Sequence, residues 1–396
     1  MTGLDLGGAL REARAAPDSI PDIVLRVAVP LGATDVVVYL VDFAQTMLEP
    51  LPVATHSTPP GQEPVVGSMA GRAFAEGAIV VADRSDGARV WVPIIEGSDR
   101  TGVLALTISE PTDANLNACE ELGLLAGYLI ATQARTTDLY SRRRRRRALS
   151  LAASMQWDLL PPLVLKTPSV TVAGMLEPAY EVGGDCFDYS LDDRVLSVGI
   201  MDAMGHGVGS ALISALAVGS YRHDRRERRS LEHMHTNLDE VITQHCRPYT
   251  FATGQLARID IDSGTLTWTN AGHPLPLLIR GGRVIRELEC RPTPPWGLGS
   301  VVDHDPTPTV AVESLEPRDS LLFYTDGVID AHKPGGDLFG VERLADLVGR
   351  HASDQREPEE IIRQVVGTIL DYKADQLVDD ATLVLVRWNG PTQSQV

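Results

Sequence analysis

RVLSVGIMDAMGHGVGSALISALAVGSY, residues 194–221, joins two apolar runs through a glycine-rich turn and delivers one carboxylate, Asp202, to that turn. The first run, residues 195–201, is short, mostly apolar and bounded by charge and glycine, the pattern of a strand covered on both faces. Gly205, Gly207 and Gly209 permit backbone angles closed to other residues. From 210 to 221 small and branched side chains recur on every side (Ala211, Leu212, Ile213, Ala215, Leu216, Val218), which predicts a helix buried all round. An acidic side chain pinned between two buried elements is costly without a partner. A metal ion is the partner this pattern suggests.

The chain has 396 residues, long for one core, and the size prior favours two domains. Its formal net charge of -18 argues against a general nucleic-acid or membrane-surface binder. No basic segment followed by an apolar one opens the sequence and no apolar run reaches membrane-spanning length, so a cytoplasmic protein is expected. Cys119, Cys186, Cys246 and Cys290 are scattered without any C-x-x-C spacing, unlike a zinc site or a disulfide framework.

Residues 1–135 read as a small α/β unit. A helix over 10–29 is interrupted near Pro17 and Pro21, DVVVYLV (35–41) is a strand, 68–76 a short helix, and 78–81, 90–95 and 103–108 are strands. A helix over 115–133 closes the unit, with Leu122, Leu125, Leu129 and Thr132 on one stripe. A connector over 136–162 follows, with six arginines at 142–147 that read as a solvated helix surface in an acidic chain. Ala148, Ala152, Met155 and Leu159 suit one seam of a helix that could pair with a second copy, and Pro161 and Pro162 stop it. From 163 to 389 strands alternate with turns and a few helices, predicting two stacked, mainly antiparallel sheets with helices outside; 390–396 reads as a disordered tail.

Four carboxylates stand at the ends or starts of the apolar strands of this last region. Asp185 lies in VGGDCFD (182–188), Asp202 in MDAMGHG, Asp326 in FYTDGV (323–328) and Asp379 in DDAT (379–382). Taken singly, each has an ordinary explanation as a helix cap, a turn residue or a solvated strand start. Four at strand termini of one domain are harder to dismiss. Oxygen ligands without matching histidine or cysteine suit Mg2+ or Mn2+ and not zinc. Two such ions about 3.5 to 4 Å apart would acidify a bridging water and clamp a phosphate for in-line attack, chemistry that needs no nucleophilic side chain.

In order along the chain, VGGDCFD, DAMGHG, FATGQLARID (251–260), NAGHPLPLL (270–278), YTDGVIDA (324–331) and DDATLVLV (379–386), with WDLLPP (157–162) before them, resemble the SpoIIE-like branch of the metal-dependent PPM, or protein phosphatase 2C-type, serine/threonine phosphatases. The order of elements in the first third resembles a GAF sensor domain, on pattern and not on a motif. The resemblance implies an α+β chain: a GAF-like α/β sensor, a helical connector and a PPM β-sandwich flanked by helices. It implies two divalent ions, Mn2+ or Mg2+, with Asp202 bridging both, Asp185 and the Ala203 carbonyl on the second, Asp326 and Asp379 on the first, and Asp188 orienting a metal-bound water. It implies a phosphorylated STAS-type anti-anti-sigma protein as substrate in a partner-switching pathway; the net charge adds the expectation of no nucleic acid or membrane partner. The alternative is a catalytically silent scaffold that binds the same kind of partner. Several positions depart from the phosphatase pattern: no histidine matches the general acid of related eukaryotic enzymes, His206 reads as the start of a helix, Ala203 stands where glycine or valine is common, Cys186 replaces an aromatic, and His273 reads as a turn residue.

Overall fold

The computed structural model describes residues 5–15, 20–51, 60–85, 87–177, 183–301, 307–331, 337–372 and 380–391. The chain divides into two compact units, Met1–Ala148 and Leu149–Val396.

In the first unit, α1 (Leu6–Ala15), α2 (Ile20–Ala28), β1 (Thr34–Val41), β2 (Met47–Pro50), β3 (Glu63–Pro64), α3 (Met69–Glu76), β4 (Val80–Arg84), β5 (Gly87–Glu96), β6 (Asp99–Ile108), α4 (Asp113–Gln133) and α5 (Leu139–Arg143) follow one another. The six strands form one antiparallel sheet in the order β3-β2-β1-β6-β5-β4. Alternation along β1 sends Val36, Val38 and Leu40 to the face covered by α1, α2 and α4, and Val37, Tyr39 and Val41 to the face covered by α3. Leu122, Leu125 and Leu129 of α4 are buried as their spacing predicts, whereas Thr132 is exposed and its hydroxyl donates to the Tyr128 carbonyl.

The stretch read as one connecting helix is broken. Helix α5 ends at Arg143, and the next helix does not begin until Leu151, so Ala148 cannot share a helical seam with Ala152. Five of the six arginines are exposed, as expected of a solvated surface, but Arg144 turns back on the first unit: it donates to the Val41 carbonyl at 3.0 Å and lies 4.7 Å from the Phe43 ring centroid. That guanidinium gains a carbonyl and an aromatic face, which a solvated helix surface would not offer.

The second unit contains α6 (Leu151–Leu159), β7 (Val164–Lys166), β8 (Val170–Glu177), β9 (Asp185–Asp192), β10 (Val195–Ala203), α7 (Val208–Arg226), α8 (Leu231–His245), β11 (Ala252–Asp260), β12 (Thr265–Ala271), β13 (Leu277–Arg280), β14 (Arg283–Glu287), β15 (Ala311–Ser314), β16 (Ser320–Tyr324), α9 (Asp326–Ile329), α10 (Gly340–Ser353), α11 (Pro358–Tyr372) and β17 (Ala381–Trp388). Two sheets, β15-β12-β11-β10-β9 and β14-β13-β16-β17-β8-β7, are antiparallel throughout. Alternate residues fill the space between them: Phe187 and Tyr189 of β9, Leu196, Val198 and Ile200 of β10, Leu321 and Phe323 of β16, and Val384 and Val386 of β17. Helices α7 and α8 cover the outer face of the first sheet, where Cys186 and Met201 lie, and α10 and α11 cover the outer face of the second.

Helix α7 differs from expectation. Ala211, Ser214, Ala217, Val218 and Tyr221 are buried, but Leu212 is 56% exposed, so its apolar composition does not mean burial all round. Of the 390–396 stretch read as a disordered tail, residues 392–396 lie outside the described residues.

Gly174 of β8 leaves room for the Phe187 ring of the opposite sheet, since a Cβ there would lie 2.4 Å from the ring. Gly174→Ala is expected to cost about 1–3 kcal/mol through overpacking, read as a lower midpoint in denaturant unfolding.

Candidate functional site

The inward-facing alternation of β9 and β10 carries two carboxylates to the rim of the sandwich. Asp185 follows the parity of Phe187 and Tyr189, and Asp202 that of Leu196, Val198 and Ile200, so both point to the space between the sheets. They are direct partners in the β9–β10 register. Side chains so placed have Cβ atoms roughly 4.5–5.5 Å apart, and like charges there repel.

Asp185 is buried, and its carboxyl is pushed well above its ordinary value by burial first and then by the negative charges of Asp202 and Asp380. The hydroxyl of Thr325, from the end of β16 in the other sheet, donates to Asp185 Oδ2 at 2.6 Å and works in the opposite direction. Thr325 is itself held by the Thr382 amide, which donates to its Oγ1 at 2.9 Å. One carboxylate therefore ties the rims of both sheets together.

The backbone leading into Asp185 is fixed on every side. The amides of Gly183 and Asp185 both donate to Asp380 Oδ2, the latter at 3.4 Å. Gln156 of α6, fully buried, donates from Nε2 to the carbonyls of Gly183 (3.1 Å) and Asp185 (2.7 Å). The Ser214 hydroxyl of α7 and the Ala203 amide both donate to the Gly184 carbonyl. Gly184 has to be glycine: a Cβ would sit 2.0 Å from the Ala203 carbonyl oxygen. Close passage of these two backbones sets Asp185 and Asp202 side by side.

After Asp202 the chain turns through Gly205 (φ 90°) and Gly207 (φ 76°) into α7, conformations that L side chains adopt with strain. Asp326 opens α9 and is exposed. Asp379 lies outside the described residues. Its neighbour Asp380 is buried and takes the organising role above, which the parity Asp380, Thr382, Val384, Val386 could have revealed, all four lying on the inward face. Gln156, a polar residue between Met155 and Trp157 in the helix AASMQWDL, was a second signal left unread.

Asp188 does not serve the rim. It lies on the outer face of β9, with Oδ1 accepting from Arg222 and Oδ2 from Arg225, each at 2.7 Å, and so ties α7 to the sheet. A carboxylate occupied at both oxygens by guanidinium groups and facing away from Asp185 cannot orient a water there. His206 is exposed in the turn. His273 closes the turn after β12: its amide donates to Asn270 Oδ1 and its carbonyl accepts from Asn270 Nδ2, both at 2.8 Å, while Nδ1 meets the Thr253 hydroxyl at 2.9 Å. Burial pushes its imidazole down to about 3.

Among the described residues no three His, Cys, Asp or Glu side chains converge as a ready-made metal cage. The described donors are nevertheless all oxygen, and the opposed Asp185 and Asp202 carry negative charge that a hard divalent cation would neutralise. Gln156→Ala should remove two hydrogen bonds to buried carbonyls at a cost of about 1–3 kcal/mol. Hydrogen exchange should quicken at amides 183–185 and stay slow across β10 and β11. In Gly184→Ala the collision with the Ala203 carbonyl should lower the unfolding midpoint by a similar amount, about 1–3 kcal/mol.

Residues 192–389 match the profile of stage II sporulation protein E (SpoIIE). The chain is 25% identical over 307 residues to protein IcfG of Synechocystis, covering 69% of this chain and 47% of IcfG, so it spans about half the length of that relative. It is 23% identical over 267 residues to phosphoserine phosphatase RsbU of Bacillus subtilis, covering 67% and 77% of the two chains, and 25% identical over 249 residues to phosphoserine phosphatase RsbP of the same organism, covering 61% and 58%. Among solved structures, the RsbU and RsbW domains of Rv1364c from Mycobacterium tuberculosis align with a TM-score of 0.50 at 27% identity over 57% of this chain and 62% of that one. The SiaA-PP2C domain of Pseudomonas aeruginosa shares the fold with a TM-score of 0.50 at 24% identity, over 60% and 94%. Sandwich, motif order and profile agree, and the chain belongs to the SpoIIE family.

Proposed function

We propose that the C-terminal unit is a metal-dependent protein serine/threonine phosphatase acting on a regulatory phosphoprotein, a phosphorylated STAS-type anti-anti-sigma factor. The observation that carries this reading is the direct opposition of Asp185 and Asp202 at a rim where Asp380 adds further negative charge. Opposed carboxylates are retained against their repulsion where a cation is to be held. The names of RsbU and RsbP, phosphoserine phosphatases, support phosphoserine as the group attacked.

Asp185, Asp202 and the Ala203 carbonyl would hold one Mn2+ or Mg2+ ion, and Asp202, Asp326 and Asp379 a second. Bound there, such ions activate water and neutralise charge on a phosphoryl group. The chain's own part is positional. Thr325 and the amides anchored on Asp380 fix Asp185, and the Gly184–Ala203 approach fixes its spacing from Asp202. Exposed Met204 and Val208, on either side of the glycine turn, offer apolar contact to a protein substrate. The N-terminal unit, read as a GAF-like sensor, would set when the phosphatase acts.

The test is phosphate release from p-nitrophenyl phosphate and from a phosphoserine STAS protein with Mn2+, Mg2+ or chelator. Release should require the metal and fall by more than about 100-fold in Asp202→Asn. The same variant should be no less stable than the wild type in chelator, because it removes one of two opposed charges. Full activity in Asp202→Asn would overturn the assignment. No release under any metal, from full-length or N-terminally truncated protein, would leave a silent scaffold that binds the phosphoprotein.

A further inference from the structure

A cavity of about 470 Å3 opens on the outer face of the five-stranded sheet, beyond the C-terminal end of α7. Arg225, Arg226, Arg228 and Arg258 line it together with the hydroxyl-bearing Ser190 and Ser197. It lies at the far end of the strands that carry the acidic rim: Asp202 pairs with Asp185 at one end of the β9–β10 ladder and Val195 with Asp192 at the other. Seven residue steps separate them, roughly 23 Å at the ordinary rise of a strand.

The charge here is of the opposite sign to that of the whole chain. Arg225 shares Asp188 with Arg222, and Arg228 pairs with Asp193. Arg226 and Arg258 have no carboxylate partner among the described residues; Arg258 donates to the Arg229 carbonyl and touches the Met234 sulfur. With Asp192 and Asp193 the acids among the residues that line the cavity, four guanidinium groups face two carboxylates, an excess of two positive charges. Arginines in the last turn of α7 complement the helix dipole. That effect does not explain why Arg258, from β11, points to the same cavity, nor why the site is concave.

We propose that this cavity is a binding site for a small anion bearing phosphate groups, separate from the acidic rim and independent of the phosphatase reading. Its volume is that of a small-ligand pocket, and planar guanidinium groups match phosphate oxygens in fork geometry. Ser190 and Ser197 supply neutral donors between the charges.

The test is calorimetric titration of the metal-stripped full-length protein with sodium pyrophosphate at low salt, with inorganic phosphate as a second arm. Pyrophosphate should bind and weaken as chloride is raised. Arg226→Ala, an exposed position with no structural bond, should weaken it roughly tenfold. Arg226→Ala combined with Arg258→Gln should abolish the signal, and Asp202→Asn should leave it unchanged. Tighter binding of pyrophosphate than phosphate would mark a ligand with linked phosphates, and equal affinities a single phosphate. Absence of binding to the wild type at millimolar pyrophosphate, affinity unchanged in Arg226→Ala, or loss of binding in Asp202→Asn would each overturn the proposal.

Discussion

The repulsion between Asp185 and Asp202 is the constraint on which the second unit depends. Two carboxylates occupy facing positions on neighbouring strands, one of them buried, in a place where packing alone would favour apolar residues. Much of the surrounding structure can be understood as the means of keeping them there. Thr325 joins Asp185 from the opposite sheet, Asp380 receives the amides on either side of Gly184, and the bare Cα of Gly184 lets the Ala203 carbonyl approach. These donors stabilise the carboxylates without neutralising them, and each holds its group at a defined position.

Helices contribute to the same end from outside the sheets. Gln156 of α6 and Ser214 of α7 use their side chains on carbonyls of the Gly183–Gly184–Asp185 backbone instead of on their own helices. A displacement of α6 would strip two donors from buried carbonyls, so the position of this helix and the order of the acidic rim are energetically linked. Because α6 opens the second unit immediately after the connecting stretch, the rim is sensitive to the first helix of its own unit.

Charge is sorted along the β9–β10 ladder. One end gathers carboxylates between the sheets, and the other gathers arginines on the outer face, with Asp188 and its two guanidinium partners between them. A net charge of -18 does not describe either end locally. Strand alternation explains why Asp188 does not take the water-orienting role that the family resemblance implied: it is three residues from Asp185, and an odd step along a strand places it on the opposite face.

What residues 194–221 and the recurring motifs determined by themselves was considerable: a strand ending in Asp202, a glycine turn, a following helix, and stacked antiparallel sheets with helices outside. Local spacing and backbone chemistry carry that information, since alternation, glycine and helical periodicity act over a few residues. The partnership of Asp185 with Asp202, the inward turn of Asp380, the reach of Gln156 to two carbonyls and the exposure of Leu212 were decided by tertiary structure alone. Each depends on which face meets which neighbour across dozens of residues, and composition does not encode that. The broken connector shows the same limit in reverse: Ala148 fits a helical seam by spacing, yet Arg144 before it finds a carbonyl and a ring on the first unit, and those long-range contacts outweigh local periodicity.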